Sequence, residues 1–160
     1  MIPKNDGGLP TRKNIIVDIP RQTLELHDLD LPIASYPVST SRFGVGTEEG
    51  SFRTPTGRFR ICQKIGEDAP PWMIFKGRMP TGEIATPGGE EDLVLSRILW
   101  LEGLDAHNNN TRDRYIYIHG TNQEDLIGTP ASHGCIRLCN QDMIELYGRI
   151  PNHTEVFIRP

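Results

Sequence analysis

The sequence predicts a single, mostly-β domain with one helix in its C-terminal half. The chain has 160 residues, the size of one domain. Its 16 glycines and 13 prolines make up about 18% of it, against an average near 12%, which suits short strands joined by many turns and disfavours a helical bundle. Its apolar residues recur mostly at period two in short runs, and at helical spacing in only one place.

Residues 1–13, with Asp6-Gly7-Gly8, are expected to be a disordered lead-in, and the domain to run from 14 to 160. Asn14 to Ile19 is rich in β-branched residues, Pro20-Arg21-Gln22 punctuates, and Thr23 to His27 alternates, which together predict a β-hairpin. Leu31 to Thr40 is extended, but Pro32 and Pro37 lack ladder donors and confine it to an edge or bulged strand. Arg58 to Ile65 alternates Phe59 and Ile61 with a slip towards Gln63 or Ile65. Leu93 to Leu101, Tyr115 to Ile118 and Thr154 to Ile158 complete the strands. The helix is signalled by Asn140 as N-cap, Asp142 in the first turn, and Ile144, Leu146 and Tyr147, with Gly148 and Pro151 to stop it. Gly44 to Gly57 and Gly66 to Gly89 read as long Gly/Pro-rich surface loops.

Seventeen Lys and Arg against twenty-one Asp and Glu leave a net charge of −4, so no basic face for nucleic acid or an anionic membrane is expected. The longest apolar run, Ile98 to Leu101, falls far short of the roughly 18–20 residues of a membrane span. No apolar stretch near the start resembles a secretory leader, which points to the cytoplasm, or to the periplasm if a leader has been removed. Gly44-Val45-Gly46 with Gly50 does not have the spacing of a dinucleotide-binding turn, and no cofactor is expected.

The chemistry concentrates between Tyr115 and Leu138. Alternation puts Ile116 and Ile118 on one face and Tyr115, Tyr117 and His119 on the other, with His119 at the strand's end. Sixteen residues on, Cys135 follows Ser132-His133-Gly134. A free thiol of pKa about 8.5 is only a few per cent thiolate at pH 7, and a nearby imidazole corrects this, so His119 and His133 both compete to be its base. A zinc site of His119, His133, Cys135 and Cys139 is disfavoured because the ligand types interleave and the histidines lie fourteen apart. Cys62 reads as a small buried hydrophobe, Cys139 as a packing residue rather than a redox partner, and His27, His107 and His153 as solvated.

The run Ser132-His133-Gly134-Cys135-Ile136-Arg137, with His119-Gly120-Thr121 upstream, resembles the signature of the L,D-transpeptidase catalytic domain, also called the YkuD domain. Thr54-Pro55-Thr56-Gly57-Arg58-Phe59 is similar to a second, weaker motif of that family. The resemblance implies a two-sheet β-sandwich in which Cys135 attacks the carbonyl joining diaminopimelate to D-alanine in peptidoglycan stem peptides. It implies Cys135 as nucleophile, His119 as base, the Gly120 carbonyl on the other imidazole nitrogen, and backbone N–H groups of His133, Gly134 and Cys135 as the oxyanion hole. His133 would support the site. Arg137 is the first candidate for a clamp on substrate carboxylates and Arg58 a weaker one; Tyr117 would line the cleft, and Ser132 would steady the turn or touch substrate.

The resulting thioester is resolved by water, in an L,D-carboxypeptidase, or by a second stem's amine, in a 3→3 cross-linking transpeptidase. The missing leader favours water, with a monomer acting on tetrapeptides or muropeptides. A non-catalytic peptidoglycan-binding domain is a remote alternative that the intact His119 and Cys135 signature disfavours.

Overall fold

The computed structural model describes residues 12–160, so the expected lead-in lies, up to residue 11, outside the described residues. Lys13 already belongs to the first strand. The ten strands are β1 (Lys13–Asp18), β2 (Thr23–Asp28), β3 (Leu31–Pro37), β4 (Gly57–Ile65), β5 (Met73–Lys76), β6 (Met79–Ile84), β7 (Val94–Gly103), β8 (Tyr117–Gly120), β9 (Ile136–Leu138) and β10 (Glu155–Arg159). One α-helix, α1 (Asn140–Arg149), lies between β9 and β10, and short 3-10 turns precede and follow β8.

The strands form one hydrogen-bonded path, β3-β2-β1-β10-β4-β7, which forks into β8-β9 and the hairpin β5-β6. The hairpin β1-β2 is antiparallel as its alternation requires, and β10 returns parallel to β1. Past Pro37 the chain turns to reach β9, where Ser39 and Arg137 exchange backbone hydrogen bonds at 2.9 Å in both directions. The path therefore folds back on itself into two layers with the main core between them, the mostly-β architecture that alternation predicts and the sandwich that the family resemblance implies. Ile15, Val17, Leu24, Leu26, Phe59, Ile61, Leu99, Leu101, Ile118, Ile136, Val156 and Ile158 fill that core, and Met143, Leu146 and Tyr147 of α1 pack into it.

Strand β7 is buried on both faces, which explains its continuous apolar run. Leu99 and Leu101 face the main core, whereas Ile98 and Trp100 join Met73, Phe75 and Tyr117 in a smaller one, with Cys135 packed against it. This smaller core exists because residues 66–89 are not one long loop. They contain β5 and β6, joined by the two-residue turn Gly77-Arg78. The hairpin escapes a periodicity reading because β5 is four residues long and all of β6 is exposed, with Pro80 and Gly82 in it. Among the described residues no helix is long and apolar enough to cross a membrane.

Two further boundaries shift. Tyr115 stands outside β8, left-handed (φ 58°) and 54% exposed after the 3-10 turn Arg112–Arg114, so the strand starts at Tyr117. Asn140 is not the helix cap; Cys139 occupies that position without a side-chain cap bond. The Asn140 side chain is instead buried, accepting from Ser96 Oγ at 2.6 Å and donating to Thr121 O at 2.7 Å and Glu124 Oε2 at 2.9 Å. It thereby fastens α1 to β7 and to the segment just after His119. Serine is as good an N-cap as asparagine, but it cannot span these partners. Asn140→Ser is expected to lose about 1–3 kcal/mol in urea unfolding, the cost of orphaned buried groups; unchanged stability would show that capping is all Asn140 does.

Candidate active site

Strands β8 and β9 run parallel, with Ile118 beside Ile136 and His119 beside Arg137. Alternation sends Ile118 and Ile136 into the main core and leaves Tyr117, His119, Cys135 and Arg137 together on the other side. The imidazole of His119 is 2% exposed, and its Nδ1 lies 2.6 Å from the Gly120 carbonyl oxygen. A carbonyl only accepts, so Nδ1 carries the proton and in the neutral ring Nε2 keeps its lone pair. Burial lowers the imidazole pKa, against the opposing pull of Asp92 and the Gly120 bond, and the ring is neutral at pH 7. Gly120 is needed here: a Cβ would meet the Leu95 carbonyl oxygen at 2.9 Å.

Cys135 keeps part of its surface open. Its Sγ accepts the Tyr117 N–H at 3.3 Å and lies 3.6 Å from the Tyr115 carbonyl oxygen, to which it donates. Among the described residues it makes no hydrogen bond to His119. Burial among its neighbours pushes the thiol up to about 12, outweighing the Tyr117 N–H that favours the thiolate. The resting thiol and the resting imidazole are thus both neutral.

The turn before Cys135 is braced from within. Ser132 is fully buried; its Oγ donates to the Cys135 carbonyl at 2.7 Å and accepts the Gly134 N–H at 3.2 Å. Gly134 has φ 127°, a conformation open to glycine, and its carbonyl accepts from Thr54 Oγ1 at 3.0 Å. The Thr54-Pro55-Thr56-Gly57 motif therefore meets the Ser-His-Gly-Cys motif at this bond. The Ser132 hydroxyl is thus enclosed within the turn it braces.

Arg137 departs from its expected role as a carboxylate clamp. Its guanidinium has no exposed surface, and it donates to Asp92 Oδ1 at 3.0 Å, Gln123 Oε1 at 2.6 Å and Ser39 Oγ at 3.0 Å, while its Nε is buried without a partner. Arg58 is engaged elsewhere, between Asp105 and Glu155. Tyr117 is 8% exposed, and its hydroxyl accepts from Arg78 Nη1 at 3.2 Å. His133 is half exposed and approaches Asp92 Oδ2 at 3.3 Å through Nδ1. Of the histidines read as solvated, His107 and His153 are exposed, but His27 is half-buried against Glu25 at 2.9 Å. Cys62 and Cys139 are free and half-buried. Among the described residues no group of three or more His, Cys, Asp or Glu side chains is arranged to hold a metal ion.

Residues 12–158 match the family described as YkuD, L,D-transpeptidase catalytic domain. The chain belongs to that family of cysteine-dependent enzymes. It is 41% identical over 116 residues, 72% of the chain, to the putative L,D-transpeptidase YqjB of Bacillus subtilis, and 28% identical over 157 residues, 98% of the chain, to the putative L,D-transpeptidase YkuD of Bacillus licheniformis. These alignments span 57% and 70% of the two relatives. A solved L,D-transpeptidase from Mycobacterium smegmatis superimposes with a TM-score of 0.63 at 17% identity, over 98% of this chain and 65% of that one. The relatives extend beyond the matched length, so where this chain begins does not bear on leader or acceptor.

Asp92 is a residue beside the site that no motif in the sequence marks. Lying just before β7, it pairs with both Arg137 and His133. Burial would raise its carboxyl, but the imidazolium that His119 becomes in acid, the charge of Arg137, and the hydrogen bonds from His133 and Arg137 outweigh this and hold it below the ordinary carboxylate value. A depressed pKa means that the pair's stability is fully present above the ordinary value, about 4, and is lost as pH falls through the folded-state value. Asp92→Asn, which leaves the buried Arg137 charge uncompensated, is expected to cost about 3 kcal/mol at pH 7. The wild-type advantage should shrink towards pH 3 in urea unfolding; an advantage independent of pH would contradict the pairing.

The neutral thiol makes a second prediction. Alkylation of Cys135 by iodoacetamide should be slow at pH 7 and rise roughly tenfold per pH unit up to about pH 9, since only thiolate reacts. A plateau reached near neutral pH would mean a preformed thiolate and imidazolium.

Proposed function

We propose that this protein is an L,D-transpeptidase of peptidoglycan stem peptides, transferring an acyl group from diaminopimelate through a thioester on Cys135 to the amine of a second stem. The observation that carries the reading is the parallel pairing of β8 with β9, which sets the Nδ1-protonated imidazole of His119 on the same side as the Cys135 thiol. His119 Nε2 is then the base for the thiol proton, once substrate turns Sγ from the Tyr115 carbonyl.

The thiolate attacks the carbonyl of the L,D bond. The oxygen that becomes negative is met by backbone N–H groups of the His133-Gly134-Cys135 turn, where the loss of one donor typically costs about 2.7–4 kcal/mol of barrier. D-alanine leaves with the proton held by His119, and the thioester remains. The acceptor amine gives its proton to His119 as it attacks, forming the new peptide bond and returning the thiol. His133 and Ser132 shape the turn, and Asp92 and Arg137 anchor β9 beneath it.

The names of the relatives favour an amine over water, because both are named as transpeptidases. The reading places the reaction on wall polymer, outside the cytoplasmic membrane. Incubation of the purified protein with a disaccharide tetrapeptide, followed by mass spectrometry, is expected to give cross-linked dimer and free D-alanine. Cys135→Ala should abolish both products. Tripeptide without dimer would instead make water the acceptor, and turnover by Cys135→Ala would overturn the mechanism.

A further inference from the structure

Arg137 is sealed inside, and Arg114, the other guanidinium acting on Cys135, donates to the Gly46 and Arg53 carbonyls, so the carboxylates of a substrate need a further partner. The structure offers another guanidinium on the aromatic residues that flank Cys135. Arg78 sits at the tip of the β5-β6 hairpin, its Cζ 4.5 Å from the centre of the Trp100 ring and 5.2 Å from that of Tyr115. One of its five N–H donors goes to the Tyr117 hydroxyl at 3.2 Å. The same aromatic residues reach the nucleophile, since Cys135 Sγ bonds to the backbone of Tyr115 and Tyr117.

Two features set Arg78 apart from a surface arginine. The first is its backbone. Gly77 and Arg78 have φ 56° and 66°, a type I′ turn, in which the second central position favours glycine or asparagine. A left-handed L-residue costs roughly 1–2 kcal/mol, and strain of this kind collects where the side chain has work to do.

The second is its company. In a chain of net charge −4, Arg58, Arg60 and Arg137 are each paired with acids, whereas the contacts of Arg78 are aromatic rings and a phenol. Arg112 lies over the same Trp100 ring at 5.1 Å, likewise without an acidic partner among the described residues. Trp100 and Tyr115 stack on each other, with centroids 6.0 Å apart. Such a face orients a guanidinium while leaving most of its donors for a ligand. A cation held on residues that flank the nucleophile, with no acidic partner among the described residues, is complementary to an anion on the substrate.

We propose that Arg78, seated on Trp100 and Tyr115 and steadied by Tyr117, binds a carboxylate of the stem peptide that flanks the scissile bond and makes the enzyme prefer free-acid stems over amidated ones. This rests on the proposed acyl transfer and assigns its specificity.

The test uses three tetrapeptide stems: the free acid, the amide at the D-centre carboxylate of diaminopimelate, and the amide at the terminal D-alanine. Wild-type protein should favour the free acid over one amide by about tenfold in kcat/KM, the scale of one charge-assisted hydrogen bond. The difference should lie mainly in KM and shrink with added salt. Arg78→Gln should bring that preference below twofold, and Arg78→Lys should restore part of it. If Arg78→Gln keeps the wild-type preference, or slows all three stems alike, the assignment is wrong. If wild-type protein turns over none of them, the acyl-transfer reading fails by itself. The three stems are then titrated by calorimetry onto Cys135→Ala with and without Arg78→Gln, where equal Kd values for acid and amides in both proteins would overturn the assignment independently.

Discussion

The buried charge of Arg137 is the constraint around which this site is built. A guanidinium without exposed surface is tolerated only if its charge is met and its donors are used. Meeting that demand draws in Asp92 from the loop before β7, Gln123 from the segment after β8, and Ser39 from the extension of β3. These segments, far apart in sequence, converge one residue beyond Ile136. The same requirement closes the strand path, because Ser39 also exchanges backbone bonds with Arg137. Cys135, directly before β9, and His119, paired with Arg137 across β8 and β9, are thus positioned around this ion pair rather than by a hydrogen bond to each other.

This arrangement has a chemical consequence. The burial that gives β8 and β9 their rigidity also disfavours charge on the two reacting groups, raising the thiol and lowering the imidazole. The resting site therefore stores no ion pair. The charges appear together, as the proton crosses from sulfur to Nε2, and the fixed dipole of the Gly120 carbonyl on Nδ1 is aimed at the imidazolium as it forms. Asp92 contributes at longer range, favouring the protonated imidazole while Arg137 opposes it. Asp92 is the stronger of the two, so the pair on balance favours the imidazolium.

How much of this was legible depends on which interactions follow chain periodicity. The hairpin β1-β2, the edge strand with Pro32 and Pro37, the two-faced β7 and the helix ending before Pro151 all follow from alternation and turn residues. So does the placement of Tyr117 and His119 opposite Ile116 and Ile118, and of Cys135 with Arg137. What failed is whatever depends on partners distant in sequence. Alternation put Arg137 on the right face but could not tell that Asp92 would enclose it. Asn140 has the chemistry of a cap, yet its partners Ser96 and Thr121 gave it a different task. The β5-β6 hairpin was hidden because β6 has no buried face to impose a pattern, although Gly77 marks its turn.

His119 waits as a neutral, Nδ1-protonated base, and Cys135 as an un-ionised thiol. Nitrogen-15 NMR of histidine-labelled protein reads this directly at pH 7. His119 is expected to give a signal pair with a protonated Nδ1 and an unprotonated Nε2, changing only below the ordinary histidine range. An imidazolium with both nitrogens protonated at pH 7, collapsing to neutral in Cys135→Ala, would contradict it.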